Sequence, residues 1–255
     1  MSSLPVSLYL SDALGAYGFG DPHPFGTDRM AAFYKETCKQ GLDARVNIVI
    51  PSACDELALS RFHTHRYIQQ VQQQSRSGVG VLDLGDTPAF KGVYEDASMV
   101  VGAALGGLKQ MMTADCPRIF VPIAGLHHAQ RDSAAGFCVF NDAGVLIETL
   151  RSEYGLQRIA YVDIDAHHGD GVFYAFESDP DLIFADIHED GRYLYPGTGS
   201  ADETGKGAAV GTKLNIPLPP AADDQAFFAA WHALESFVEQ AKPELIILQA
   251  GADGI

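Results

Sequence analysis

Residues 158–170 constrain the fold more than any other stretch of the chain: Arg158-Ile159-Ala160-Tyr161-Val162-Asp163-Ile164-Asp165-Ala166-His167-His168-Gly169-Asp170. The apolar lead-in predicts a parallel strand over residues 158–165, covered on both faces. From Asp163 the pattern changes, and Asp163, Asp165 and His167 fall at alternate positions. If the strand persists, a period of two puts all three on one face at its carboxyl end. Ligands bind at that end of open parallel sheets, and two carboxylates with an imidazole suit a divalent metal with mixed N/O ligands. The structural alternative makes Asp163 and Asp165 helix caps or turn residues. An overlapping Asp-x-His, followed at once by His168 and Asp170, favours the metal. Charged groups at the end of so apolar a strand are hard to bury without a partner or an ion.

The remainder of the chain is consistent with one large α/β domain over residues 1–255. It has 255 residues, 47% of them hydrophobic, enough for a sizeable core. A net charge of −16 speaks against nucleic acid, because phosphate neutralisation needs a basic face; the same field suits a cationic substrate. Cys38, Cys54, Cys116 and Cys138 form no Cys-x-x-Cys pair, which predicts a reduced, cytoplasmic protein. Met1-Ser2-Ser3-Leu4-Pro5 lacks a basic region followed by an apolar core, so no signal peptide is expected. No apolar run approaches spanning length, so no membrane partner is expected either.

In chain order, strands are expected at 6–10, 45–50, 118–123, 181–187, 214–218 and 244–250, besides 158–165. Helices are expected from Thr27 or Asp28 to about Gln40, over 55–60 and 64–74, from about Gly92 to Ala114, from Asn141 or Asp142 to about Tyr154, and over 223–242. The small residues at 102–107 predict close packing of the fourth of these helices on a sheet. From Arg118 onward strand and helix alternate, which predicts a parallel sheet with helices on both faces. The strand from Arg118 delivers a second functional stretch, Gly125-Leu126-His127-His128-Ala129, then Gly136-Phe137-Cys138-Val139-Phe140-Asn141-Asp142. Adjacent histidines cannot both point inward from regular β structure, so a loop must aim them. His127 and His128 could be a surface pair; beside Asp163 and Asp170, two carboxylates able to orient two imidazoles, an acid–base dyad is the better reading. His63, His65 and His232 are read as structural or surface residues.

These motifs together resemble the histone deacetylase superfamily over essentially the whole chain, and its bacterial acetoin-utilisation branch in particular. The resemblance rests on His23-Pro24 with Arg29, Asp86-Thr87-Pro88, residues 125–129, 136–142 and 163–172, Tyr195-Pro196-Gly197-Thr198-Gly199, and Gly251-Ala252-Asp253. It implies a three-layer α/β/α fold of the arginase/deacetylase kind with a mostly parallel sheet. It implies Asp165, His167 and Asp253 as metal ligands, His127 paired with Asp163, and His128 paired with Asp170. Gly136 would take the substrate amide through its carbonyl, Phe137 and Tyr195 would wall an acyl-lysine tunnel, and Asp86 would hold the substrate backbone. The family usually has Phe where Tyr195 stands, and the added hydroxyl would suit a more polar substrate stem. The implied cofactors are zinc, with iron(II) also compatible, and a potassium ion held by oxygens of Asp163, Asp165 and His167. The implied activity is hydrolysis of an acetylated lysine peptide or an acetylpolyamine to acetate and a free amine; whether the protein forms a homo-oligomer is left open.

Two rival readings remain. A two-manganese ureohydrolase would need a carboxylate two residues beyond His167, where Gly169 has no side chain. A non-catalytic acyl-lysine-binding module is the other. It is favoured by an omission, since the family's oxyanion tyrosine lies in a Gly-rich loop beyond the position of Ile255. A catalytic unit continuing past residue 255 is therefore expected, as is impaired turnover by these residues alone. Asp86, Glu189 and Asp190 are further expected to form an acidic rim.

Overall fold

The computed structural model describes residues 6–20, 22–113 and 116–253. Expectations placed on Met1 to Pro5, on Asp21, on a helix end at Ala114 and on the last two residues lie outside these. The chain forms two compact units, Met1–Leu146 and Ile147–Ile255.

In the first unit β1 (Val6–Tyr9) is followed by α1 (Asp12–Gly15), α2 (Arg29–Lys39), β2 (Asn47–Val49), α3 (Glu56–Leu59), α4 (His65–Ser77), α5 (Val93–Met112) and β3 (Arg118–Phe120). Its sheet is parallel, in the order β2-β1-β3, with Leu8 opposite Ile48 on one side and Phe120 on the other. The small-residue run of α5 explains its close approach. A Cβ on Gly107 would stand 2.4 Å from Ile119 Cγ2, and one on Gly106 would stand 3.2 Å from the Tyr9 ring. Two strands are shorter than expected. Asp43–Arg45 winds into a 3-10 turn ahead of β2, and the Ala124 amide donates to Val121 O, turning the chain after β3. Asp55 and Thr64 cap α3 and α4 through their side chains. Asp28, by contrast, precedes α2 with helical dihedrals and makes no cap bond, because a capping side chain typically bonds forward to the amides of the first turn from an extended backbone.

Helix α6 (Asp142–Tyr154) carries the chain across the boundary. The second unit continues with β4 (Ile159–Asp163), α7 (Asp170–Ala175), β5 (Leu182–Glu189), β6 (Lys213–Leu218), α8 (Asp224–Ala241) and β7 (Leu245–Gln249). Its sheet, β6-β5-β4-β7, is again parallel throughout. Ala230, Leu234 and Val238 of α8 pack with Ala160, Val162, Ile183, Ala185 and Ile187 of β4 and β5. β4 is buried along its whole length, as its unbroken apolar pattern requires.

The expected strand over 158–165 stops at Asp163, so Asp165 and His167 are not presented by strand alternation. Asp163 Oδ1 accepts the Asp165 amide at 3.1 Å, and Asp165 Oδ1 accepts the His167 amide at 2.9 Å. Side-chain carboxylates thus take amides that a continuing ladder would have used. Among the described residues no helix is long and apolar enough to cross a membrane.

Candidate functional site

Pairing of β4 with β7 sets Asp163 opposite Gln249, so the segments leaving the two strands run side by side. There Asp165, His167 and Asp253 each offer a ligand atom, all within 4.8 Å of one another. His167 Nδ1 lies 3.0 Å from Asp165 Oδ1 and 2.9 Å from Asp253 Oδ2. Hydrogen bonds to Asp165 and then Asp253 raise the imidazole to about 9, because two carboxylates facing one nitrogen favour positive charge there. Gln249 Nε2 donates to Asp165 Oδ2 at 3.0 Å and orients it. Gly251 has to be glycine here, since a Cβ would stand 1.8 Å from that same oxygen. This donor set fits one divalent ion with mixed N/O ligands.

The other predicted residues of this unit surround the same loop. Asp163 is wholly buried and accepts the Tyr161 hydroxyl at 2.7 Å. Asp170, also buried, opens α7, and its amide donates to His168 O at 2.8 Å. The Tyr195 ring stands 6.3 Å from that of His167 and is 44% exposed. Asp190 does not contribute a free charge to an acidic rim. Its carboxylate is bound by the Arg192 side chain at 2.5–3.0 Å, and that bond holds it down at about 2.

In the first unit His127 and His128 are both buried, with ring centroids 4.1 Å apart, so the surface-pair alternative falls away. Their loop is held by the start of α6. Asn141 is the cap, its Oδ1 accepting the Gly144 amide at 2.8 Å while its Nδ2 donates to His127 O and Ala129 O. Asp142 accepts instead from the Gly125 and Leu126 amides, and burial raises its pKa. His63, read above as structural or surface, is structural and accepts the Asn141 amide on Nε2 at 2.9 Å. Burial pushes its imidazole down to about 3, keeping it a neutral acceptor.

Gly136 and Phe137 both have positive φ, 51° and 67°. For Phe137 this is a strained conformation that neighbours must hold. Thr87 Oγ1 accepts its amide at 3.1 Å, and Tyr17 donates its hydroxyl to Phe137 O at 2.6 Å while accepting the Val139 amide at 3.0 Å. The ring of His23 packs on Phe137 at 4.6 Å. Because His23 Nδ1 accepts the Phe25 amide, its Nε2–H donates to Asp86 O at 3.1 Å. Asp86 itself is exposed; its hydrogen bond with Asp83, then partial burial, raise it to about 6. Burial also raises Asp83, but hydrogen bonds from Asp86, Thr87 and Gly85 outweigh that and hold it at about 2.

The histone deacetylase domain matches residues 23–255. The chain belongs to the histone deacetylase family. Every candidate residue falls inside the matched span. The acetoin utilization protein AcuC of Bacillus subtilis (strain 168) is 38% identical over 254 residues, covering 95% of this chain and 65% of that protein. The histone deacetylase clr6 of Schizosaccharomyces pombe is 29% identical over 263 residues, covering 98% of this chain and 63% of that protein. The chain thus spans just under two thirds of the length of these curated relatives. The crystal structure of an HDAC homolog from Aquifex aeolicus superposes with a TM-score of 0.86 at 27% identity, covering 98% of this chain and 69% of that one. The parallel-sheet α/β fold is therefore of the deacetylase type expected.

Proposed function

We propose that the protein is a metal-dependent deacetylase acting on an N-acetylated primary amine, either acetyl-lysine in a peptide or an acetylpolyamine. The observation that carries this reading is the convergence of Asp165 and Asp253 on His167 in a chain of the histone deacetylase family. Zinc is the ion best suited, iron(II) being compatible with the same donors. When bound, such an ion supplies Lewis acidity toward an amide carbonyl and lowers the pKa of a water. His128 takes the proton of the attacking water and returns one to the leaving amine as the C–N bond breaks, so that acetate and the free amine are the products. His127 assists beside it, and Asp163 and Asp170 orient the two imidazoles. The Gly136 carbonyl accepts the substrate N–H, the rings of Phe137 and Tyr195 flank the acyl stem, and Asp86 holds the substrate backbone. A potassium ion near Asp163, Asp165 and His167 is proposed as a structural ion. Four free cysteines suit a reducing, cytoplasmic setting.

The test is His128→Ala on an acetyl-lysine peptide and an acetylpolyamine, with metal content measured in parallel. Activity should fall by roughly 10²–10⁴-fold with the bound metal unchanged. Loss of metal from the variant, or full activity without His128, would overturn the assignment.

A further inference from the structure

Strand β5 is apolar except at Asp186, His188 and its last residue, Glu189, and the side chains of Asp186 and His188 are both 0% exposed. His188 Nε2 donates to Gly199 O at 2.9 Å, and its Nδ1 lies 2.7 Å from Asp186 Oδ1 with a proton between them. The second oxygen of Asp186 accepts the Gly169 amide at 2.8 Å, two residues after His167. One carboxylate therefore holds the His167 loop directly and the Tyr195 loop through an imidazole. His168 adds a link between the same two loops, its Nδ1 standing 2.8 Å from Thr198 Oγ1. The fit around Gly199 is tight. At φ 87° its Cβ would fall 2.4 Å from His188 Nε2 and 2.7 Å from His168 Cγ.

A buried imidazole–carboxylate pair is a poor source of stability, since burying charge costs nearly what pairing returns and an apolar pair is often as good. Its place in the buried stretch of the strand, with the outer polar atom of each partner directed at one of two loops, has another explanation. We propose that Asp186 and His188 are positioning residues that lock the Tyr195 loop in register with the His167 loop, so that β5 determines where the Tyr195 ring stands. This rests on the reading of Tyr195 as a wall of the acyl site. The two residues divide the work: Asp186 governs both loops, His188 the Tyr195 loop alone.

Three variants of the full chain separate these roles: His188→Gln, Asp186→Asn and Thr198→Val. Backbone hydrogen exchange at residues 198–200, zinc affinity, and KM and kcat on an acetyl-lysine peptide are measured for each. His188→Gln should speed exchange at 198–200 by roughly tenfold, as loss of one charge-assisted bond implies. It should raise KM with kcat nearly unchanged and leave zinc affinity as it is. Asp186→Asn should speed the same exchange and also weaken zinc, by roughly 10-fold or more. Thr198→Val removes the hydroxyl that faces His168 Nδ1 and should give a smaller rise in exchange and in KM. Unchanged exchange at 198–200 in folded His188→Gln, or zinc weakened equally in both β5 variants, would overturn the proposal. Exchange and zinc affinity need no turnover, so a wild-type chain inactive on every acetylated amine would refute the deacetylase reading while leaving the locking of the loops to be judged by them.

Discussion

Around Phe137 in the first unit the polar partners are the hydroxyls of Tyr17 and Thr87, and the rings of His23 and Phe25 pack on it. Around His167 in the second unit the partners are carboxylates, backed by the buried Asp186–His188 pair. The two units hold their candidate residues by different physics because the tasks differ. A backbone turned to positive φ and faced by rings needs shape, which neutral hydrogen bonds and aromatic packing supply without charge burial. A cation needs fixed negative charge, which survives burial only when every carboxylate oxygen is given donors.

The largest test of this contrast pairs two glycines. Gly251→Ala drives a Cβ to 1.8 Å from Asp165 Oδ2. Metal affinity should fall by at least ~10–100-fold, as when ligand support is lost. Gly107→Ala meets only the Ile119 side chain at 2.4 Å and should cost about 1–3 kcal/mol of stability through overpacking, with metal affinity unchanged. Calorimetric zinc titration beside urea denaturation reads both; equal effects on zinc would erase the distinction.

A second test uses pH, where the two buried histidines should act with opposite sign. His63 is held at about 3 by burial against 6.5 when unfolded. The unfolded chain therefore binds the extra proton, and stability falls as pH drops from about 6.5 toward about 3. His188 is raised: burial opposes its charge, but Asp186, the Gly199 carbonyl and the more distant Asp163 outweigh it. Its contribution is complete below about 6.5 and is lost as pH rises through its folded value. Burial, then the charge of Asp163, push Asp186 up to about 6, so the pair as a whole holds its proton more tightly than the unfolded chain. In urea denaturation, His63→Gln should flatten the acid side of the stability profile and His188→Gln the alkaline side. Parallel changes in both variants would contradict the assignment.

The smallest effect is expected from Tyr17→Phe. It strips partners from Phe137 O and the Val139 amide and should cost about 1–3 kcal/mol. Denaturation of the variant beside the parent gives the value, and zinc affinity should not move.

Much of the scaffold could be read from local pattern. The apolar runs locate β4, β5 and β7, and the helices expected over 55–60, 64–74 and 223–242 do begin beside Asp55, Thr64 and Asp223, each an extended residue whose short polar side chain bonds forward into the first turn. Asp28 looked the same in sequence and failed because its own backbone is helical. The choice between Asn141 and Asp142 was open for a similar reason: either side chain could cap α6, and the nearby amides of Gly125 and Leu126 drew Asp142 away. Asp186 and His188 sat inside a strand pattern with nothing to distinguish them from tolerated polar residues, since their partners come from loops distant in the chain.

By itself the sequence determined that Asp163, Asp165 and His167 fall at alternate positions. That spacing lets side-chain carboxylates take amides two residues on, as Asp163 and Asp165 do once the strand ends. The sequence also determined the acid excess and the residue types available for ligation. Only the tertiary structure decided that Asp253 meets His167 and that Gly251 lies against Asp165. That depends on the parallel pairing of β4 with β7, in which Asp163 stands opposite Gln249. A register between strands far apart in the chain is selected by the packing of the whole sheet, because slipping it by one residue would exchange the covered and exposed faces of β7.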